Sequence, residues 1–315
     1  NALNNANLQN FRASHSAAAL SVLIFVDQLL SNALDYQISN INNVLYILIT
    51  FVIAVVLYFV MSLYTGLFPV KNGSYPNHAQ VYDNVISIVQ HFKKIGYRVA
   101  LIGKQHYAPM ANFPFEYLGG RNSDNGKGPD VELADAEKWI KKDTSKPYLL
   151  IVASNQPHGP WNRGDVKQYD ASKISVAPYM VDTQETRENL VKYYAEITYM
   201  DSLVGTCTKI VEKQKNKDNT LFLFCADNGG CPFERTRGRN LKPWDPNSYW
   251  TYDASWAQAS NTPFRLYKQN QHEGGISSPL IVHWPNGLKT EAGSITRQPA
   301  HLIDFMATFL DLGQA

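Results

Sequence analysis

The chain has 315 residues, is 44% apolar and 18% charged, and carries a formal net charge of +2. That is enough apolar material for one large α/β domain or two smaller ones, and too near neutral for a nucleic-acid footprint or a polyanion-coating surface. Three cysteines, Cys207, Cys225 and Cys231, are too few for a disulfide scaffold and lack zinc spacing; with this composition, disorder, collagen and coiled coil are also excluded. The first residue is Asn1 rather than Met, so a fragment or a processed product is expected.

Composition changes sharply near residue 61. Residues 1–60 contain only Arg12, Asp27 and Asp35 as charged groups and have no Gly, Pro, Lys or Glu, whereas all 19 glycines and 16 prolines come later. This first part is Asn-rich and then apolar, and a very apolar run extends from Val44 to Tyr64. A helix of about 20 residues spans the hydrocarbon of a bilayer, so 44–61 reads as a membrane anchor. Its β-branched content (Val52, Ile53, Val55, Val56) equally allows a buried strand followed by a buried helix. A third reading makes the segment foreign to the rest of the chain, joined to it through a sequence or gene-model junction.

From Met61 onward helices and strands alternate. Val81, Val85, Ile88, Val89, Phe92 and Ile95 share one helical face, with Gly96 placed to end that helix. Arg98–Ile102 reads as a short strand, Val131–Lys142 as a polar-faced helix and Tyr148–Ala153 as a buried strand. A long helical pattern comes next over Glu185–Lys213, then strands at Thr220–Ala226 and Pro279–Trp284 and a closing helix at Leu302–Leu312. Such alternation predicts an α/β layered domain with a largely parallel central sheet flanked by helices. The Trp- and Tyr-rich stretch 232–263 reads as a long loop region, and long loops in compact domains are usually functional.

Ligands of open α/β sheets collect outside the carboxyl ends of the strands, and the strands here end in polar groups. Lys104 and His106 come after the first, Asn155-Gln156-Pro157-His158 after the second and Asp227-Asn228-Gly229-Gly230 after the third, while Lys268 precedes the fourth. Asp227-Asn228 offers two adjacent hard oxygen ligands suited to Ca²⁺ or Mg²⁺, or a simple Asn-Gly turn. Lys104, His106, His158 and Lys268 would together form a cationic cluster with two proton-transfer candidates, as an anionic tetrahedral ester and its leaving oxygen require.

Residues 62–315 resemble a sulfatase of the arylsulfatase type, in the alkaline phosphatase superfamily. The matching stretches are SLYTGLFPVKNGSYPNH (62–78), KKIGYRVALIGKQH (93–106), ASNQPHGPW (153–161), YYAEITYMDSLVG (193–205), FCADNGG (224–230) and SNTPFRLYKQNQHEGGISSPLIVHWP (260–285). The resemblance implies an alkaline-phosphatase-like fold and hydrolysis of sulfate esters. It also implies metal binding by Asp227 and Asn228, as half of a calcium site. Lys104, His106, His158 and Lys268 would then contact the sulfate, the leaving oxygen or the nucleophile, with Lys104, His158 and Lys268 binding substrate.

Two family features are missing. The C-x-P-x-R or S-x-P-x-R motif, whose first residue becomes the formylglycine nucleophile, should occupy 56–60, where this chain has Val56-Leu57-Tyr58-Phe59-Val60. Cys231-Pro232-Phe233-Glu234-Arg235 has its proline one place early and lies far from that position, and Asn261-Thr262-Pro263-Phe264-Arg265 starts with Asn. The paired aspartates of the first strand are missing too: Asn43–Thr50 faintly resembles that strand, but Phe51 and Val52 come after it. Weak or absent metal binding and an inactive chain are expected, as is the absence of the family's C-terminal subdomain beyond Leu312. The expected partner is a sulfated small molecule or sulfated glycan, with no nucleic acid and with a membrane through 44–61 if that run spans one. The rivals are a pseudoenzyme gripping sulfated glycans through Lys104, Lys268, Trp161 and Trp244, a superfamily phosphodiesterase or phosphonate hydrolase, and a membrane protein whose soluble half is only structural. By the same analogy the setting is exported, periplasmic or lysosomal, with Asn72-Gly73-Ser74 a glycosylation acceptor or an Asn-Gly turn.

Overall fold

A computed structural model describes residues 46–52, 57–75, 79–120, 130–232, 240 and 253–313, with the backbone alone for 46–52 and 57–59. Trp244 and residues 233–235 fall outside these. Among the described residues the strands are β1 (Tyr46–Val52), β2 (Arg98–Gly103), β3 (Glu116–Tyr117), β4 (Tyr148–Ser154), β5 (Thr220–Ala226) and β6 (Leu280–His283). The helices are α1 (Leu57–Thr65), α2 (Pro69–Asn72), α3 (Ile88–Lys94), α4 (Leu133–Lys142), α5 (Gln184–Glu212), α6 (Asp253–Asn261), α7 (Glu273–Ile276) and α8 (Leu302–Gly313).

The strands form one sheet in the order β3-β2-β4-β1-β5-β6, parallel except for β6, which runs antiparallel to β5. The α/β class and the largely parallel sheet are those expected. β4 shows why the sequence folds this way: all seven of its residues are buried, as a strand covered on both faces requires. Its side chains alternate between two cores. Leu149, Ile151 and Ala153 join Val60, Met61 and Tyr64 of α1, Val89 and Phe92 of α3, and Phe305 and Phe309 of α8. Tyr148, Leu150 and Val152 join Trp139 and Ile140 of α4 and Cys207, Ile210 and Val211 of α5. The result is a helix–sheet–helix sandwich, and each fully buried Phe or Leu contributes about 1.5–3 kcal/mol of transfer free energy.

Three expectations are corrected. The membrane-anchor helix over 44–61 does not form and the alternative, a strand followed by a helix, does: Tyr46–Val52 is a central strand, in register with β4 (Val52 opposite Ser154) and β5 (Val52 opposite Ala226), and the helix begins at Leu57. Tyr46–Val52 is paired on both sides by parallel strands, and the rest of the β-branched run, 53–56, lies outside the described residues. Among the described residues no helix is long and apolar enough to cross a membrane. The helix expected over 81–95 spans only 88–94 because Ser87 caps it, accepting from Gln90 N–H while Gln90 Oε1 accepts from Ser87 N–H at 2.8 Å; Val81 and Val85 are buried ahead of it all the same. The loop expected over 232–263 contains α6.

Candidate functional site

Because the parallel strands run in register, their carboxyl ends finish together. Gly103 lies opposite Ala153, Ser154 opposite Val52, and Val52 opposite Ala226. Lys104, Asn155 and Asp227 therefore leave the same edge of the sheet. With about 4.8 Å between strands, the backbones of Lys104 and Asp227 are roughly 14 Å apart across three spacings. Lys104 (2% exposed) and Asp227 (5%) are buried despite their charge, and so is Lys268 (4%). Buried charges of both signs at one edge mark a region organised around electrostatics rather than packing.

Lys268 reaches this edge through the backbone. Its N–H donates to Gly230 O at 3.2 Å, and Gly230 N–H donates to Asn261 Oδ1 at 3.2 Å. The turn sits this close only because residue 229 lacks a side chain: a Cβ there would lie 2.0 Å from Gly274 O. Within the turn Asp227 Oδ1 accepts from Asn228 N–H at 2.9 Å. The Asp227 carboxylate also lies beside Cys225, whose thiol is pushed up first by burial and then by that charge.

The two histidines sit in the loops after β2 and β4. His106 is half-buried two residues past Lys104. His158 is half-buried in a turn closed by its N–H to Asn155 O at 3.0 Å, and its Nδ1 lies 2.7 Å from Gly159 O. A carbonyl oxygen only accepts, so Nδ1 carries the hydrogen at this contact. Of the six residues expected at the site, five lie in the segments that follow β2, β4 and β5, and Lys268 is tied by its backbone to the segment after β5. Trp161, expected to meet a sugar, does not face one: it is 2% exposed, packs on Tyr193 and Trp256, and donates to Pro157 O at 3.1 Å.

Two buried carboxylates behind the edge were missed. Asp130 (0% exposed) accepts from Ser154 Oγ, from Asn155 N–H at 3.2 Å and from Asn155 Nδ2 at 3.1 Å. Glu196 on α5 (0% exposed) accepts the N–H groups of Arg163 and Gly164 at 2.9 and 3.1 Å. Both face Tyr199, whose phenol is pushed up by burial and by the Asp130 charge, with Arg163 opposing and Glu196 adding. Asp130 reads in sequence as a helix-start residue and Glu196 as one polar position in a long helix, so only a charge flanked by Ala195 amid apolar neighbours hinted at the second.

Asn228 Oδ1 is buried and accepts no hydrogen bond, as suits an oxygen kept for a cation. The neighbouring strand, however, ends in Phe51-Val52 and continues in sequence as Ile-Ala-Val-Val through 56, which offers no side-chain oxygen. Among the described residues no group of three or more His, Cys, Asp or Glu could hold a metal. Two oxygens do not close a six-to-eight-ligand calcium shell, so the donor set among the described residues does not fit. Nor do residues 56–60 of the sequence fit a formylglycine: Val, Leu, Tyr, Phe and Val supply no thiol or hydroxymethyl to oxidise.

Comparison with known proteins gives the family. The family model described as Sulfatase matches residues 59–315. The chain is 26% identical over 255 residues to an ulvan-active sulfatase of Formosa agariphila, covering 80% of this chain and 43% of that protein. It is 24% identical over 284 residues to human N-sulphoglucosamine sulphohydrolase, covering 79% and 50%. The crystal structure of Ps i-CgsB in complex with k-i-k-neocarrahexaose superposes with a TM-score of 0.59 at 20% identity, over 87% of this chain and 72% of that one, and shares its fold. The chain spans about half the length of these two sequence relatives. With a family match over most of its length, the chain belongs to the sulfatase family.

Proposed function

We propose that the carboxyl edge of the sheet binds the sulfate group of a sulfated sugar, and that the chain as it stands holds this ester without hydrolysing it. The observation that carries the reading is the pair of buried lysines, Lys104 and Lys268, brought to one edge by two different elements. Each would act as a fixed positive charge against the sulfate oxygens, in a setting where burial strengthens charge-assisted hydrogen bonds. His106 and His158 would stand at the ester oxygen, His158 with Nδ1–H fixed and Nε2 able to take or give a proton. A sugar sulfate is preferred to an aryl sulfate because the relatives are named for ulvan and N-sulphoglucosamine and the structural neighbour holds a carrageenan-type hexaose. An exported or lysosomal setting goes with such a ligand.

No hydrolytic step is derived. The positions that should supply the family's nucleophile are Val56 to Val60, and none of these side chains is a thiol or hydroxymethyl group to become it. The direct test has two readouts on the purified chain. Turnover of an aryl sulfate is expected to be nil. Titration with N-sulfated glucosamine, followed by tryptophan fluorescence, is expected to show binding that weakens at least about tenfold in Lys104→Ala and in Lys268→Ala, since a hydrogen bond to a charged group is worth about 1.5–3 kcal/mol. Measurable turnover, or binding that survives loss of both lysines, overturns the reading.

A further inference from the structure

The loop that carries His158 is held at both of its feet by side chains that have no part in sulfate binding. At the first foot, where β4 ends, the Asp130 carboxylate takes three donors: Ser154 Oγ, Asn155 N–H and Asn155 Nδ2. Ser154 Oγ in turn accepts from Gln156 N–H at 3.1 Å, so the grip extends toward the His158 turn. At the second foot Glu196 Oε2 takes two successive backbone N–H groups, those of Arg163 and Gly164. Between the feet, Trp161 is buried against Tyr193 of the same helix that carries Glu196.

The second foot is pressed on α5 as closely as a backbone can be. A Cβ on Gly164 would lie 2.0 Å from Ala195 O and 2.6 Å from Glu196 N. Burying a carboxylate is costly unless its oxygens are satisfied. Here both oxygens of Asp130 and Oε2 of Glu196, two fully buried carboxylates, take donors from one loop, and the only ionisable ring between the two feet is that of His158. Its tautomer depends on where the loop backbone holds Gly159 O, 2.7 Å from Nδ1.

We infer that Asp130 and Glu196 are positioning residues that clamp the two feet of the 155–164 loop and thereby fix the orientation and tautomer of His158 toward the sulfate ester. The inference rests on the proposed sulfate-ester site for its purpose, and on the hydrogen bonds alone for its geometry. Outer partners of this kind orient the ligand-facing group without touching the ligand, and their loss is felt at that group rather than evenly across the fold.

The experiment is ring-nitrogen NMR on the ¹⁵N-labelled full chain, with His158 assigned by its disappearance in His158→Gln. The wild-type ring is expected in a single Nδ1–H form. Glu196→Ala and Ser154→Ala are expected to lose that single form to a mixture of tautomers. Glu196→Gln, whose carbonyl oxygen still accepts both backbone N–H groups, is expected to keep it. Folded Glu196→Ala and Ser154→Ala chains that retain a pure Nδ1–H ring overturn the clamp, as does a wild-type ring in the Nε2–H form or loss of the form in Glu196→Gln. If Glu196→Ala fails to fold, Ser154→Ala, which removes one hydroxyl, decides alone. The readout needs no ligand: missing sulfate binding with the expected tautomers breaks the functional reading and leaves the clamp, and normal binding with unchanged tautomers does the reverse.

Discussion

Asn72 stands in the chain's Asn-Gly-Ser sequence and is completely buried. Its Nδ2 donates to Thr65 Oγ1 and to Leu67 O, both at 3.2 Å, and its Oδ1 accepts from Ser74 N–H at 2.8 Å and from Ser74 Oγ at 2.6 Å. Both ends of the amide are used inside the fold, and Gly73 after it adopts a left-handed φ of +91°. Burial and these hydrogen bonds suit the turn reading. Peptide mapping of chain produced in a glycosylating host should find Asn72 bare in the folded fraction, and a glycan there on folded protein would refute this. Asn72→Ala should cost about 2–4 kcal/mol in a denaturant melt, because it strands buried hydroxyl and amide donors.

Among the elements, α3 shows how a local signal overrides a periodicity. Its apolar face begins at Val81, but Ser87 Oγ both accepts from Gln90 N–H and donates to Asn112 O at 2.5 Å, so the helix starts after Ser87 and is tied to the segment ahead of β3. Ser87→Ala should lower stability by about 1–2 kcal/mol, read from the urea midpoint at constant slope; an unchanged midpoint would show that the cap contributes nothing. The Ser-x-x-Gln pattern was there to be read. Three strands, β2, β4 and β5, were legible to within a residue or so, because buried parallel strands are continuous apolar runs closed by polar groups, and the short antiparallel β6 was legible between Pro279 and Trp284. β1 was not: the run from Val44 to Tyr64 has no Gly, Pro or charge to divide strand from helix, and only pairing with β4 and β5 decides the matter. The strand-end rule found Lys104, His158 and Asp227 for the same reason that it failed for Asp130 and Glu196. The first three come after runs of apolar residues, whereas a carboxylate at a helix start or within a helix looks solvent-facing until its tertiary partners are known.

For the whole molecule, the two faces of the sheet are closed by α1, α3 and α8 on one side and by α4 and α5 on the other, and the cationic edge is left at one end. If Asp227 and Asn228 are the edge's only oxygen ligands, calcium should not stabilise the fold. A tight site would add about 2.7 kcal/mol at a hundredfold excess over its Kd, worth several degrees in a domain of this size. Melting in millimolar CaCl₂ should match melting in EGTA, and a rise of several degrees would show that the shell is completed by residues other than those of β1.

β1 is the earliest of these strands along the polypeptide, and it lies between partners near residues 150 and 223. During synthesis it therefore leaves the ribosome long before either neighbour exists, and the halves β3-β2-β4 and β5-β6 are joined in the sheet only through it. Such distant pairing is slow, so the complete sheet waits on translation past Ala226, and until then seven mostly apolar residues lack their second parallel neighbour.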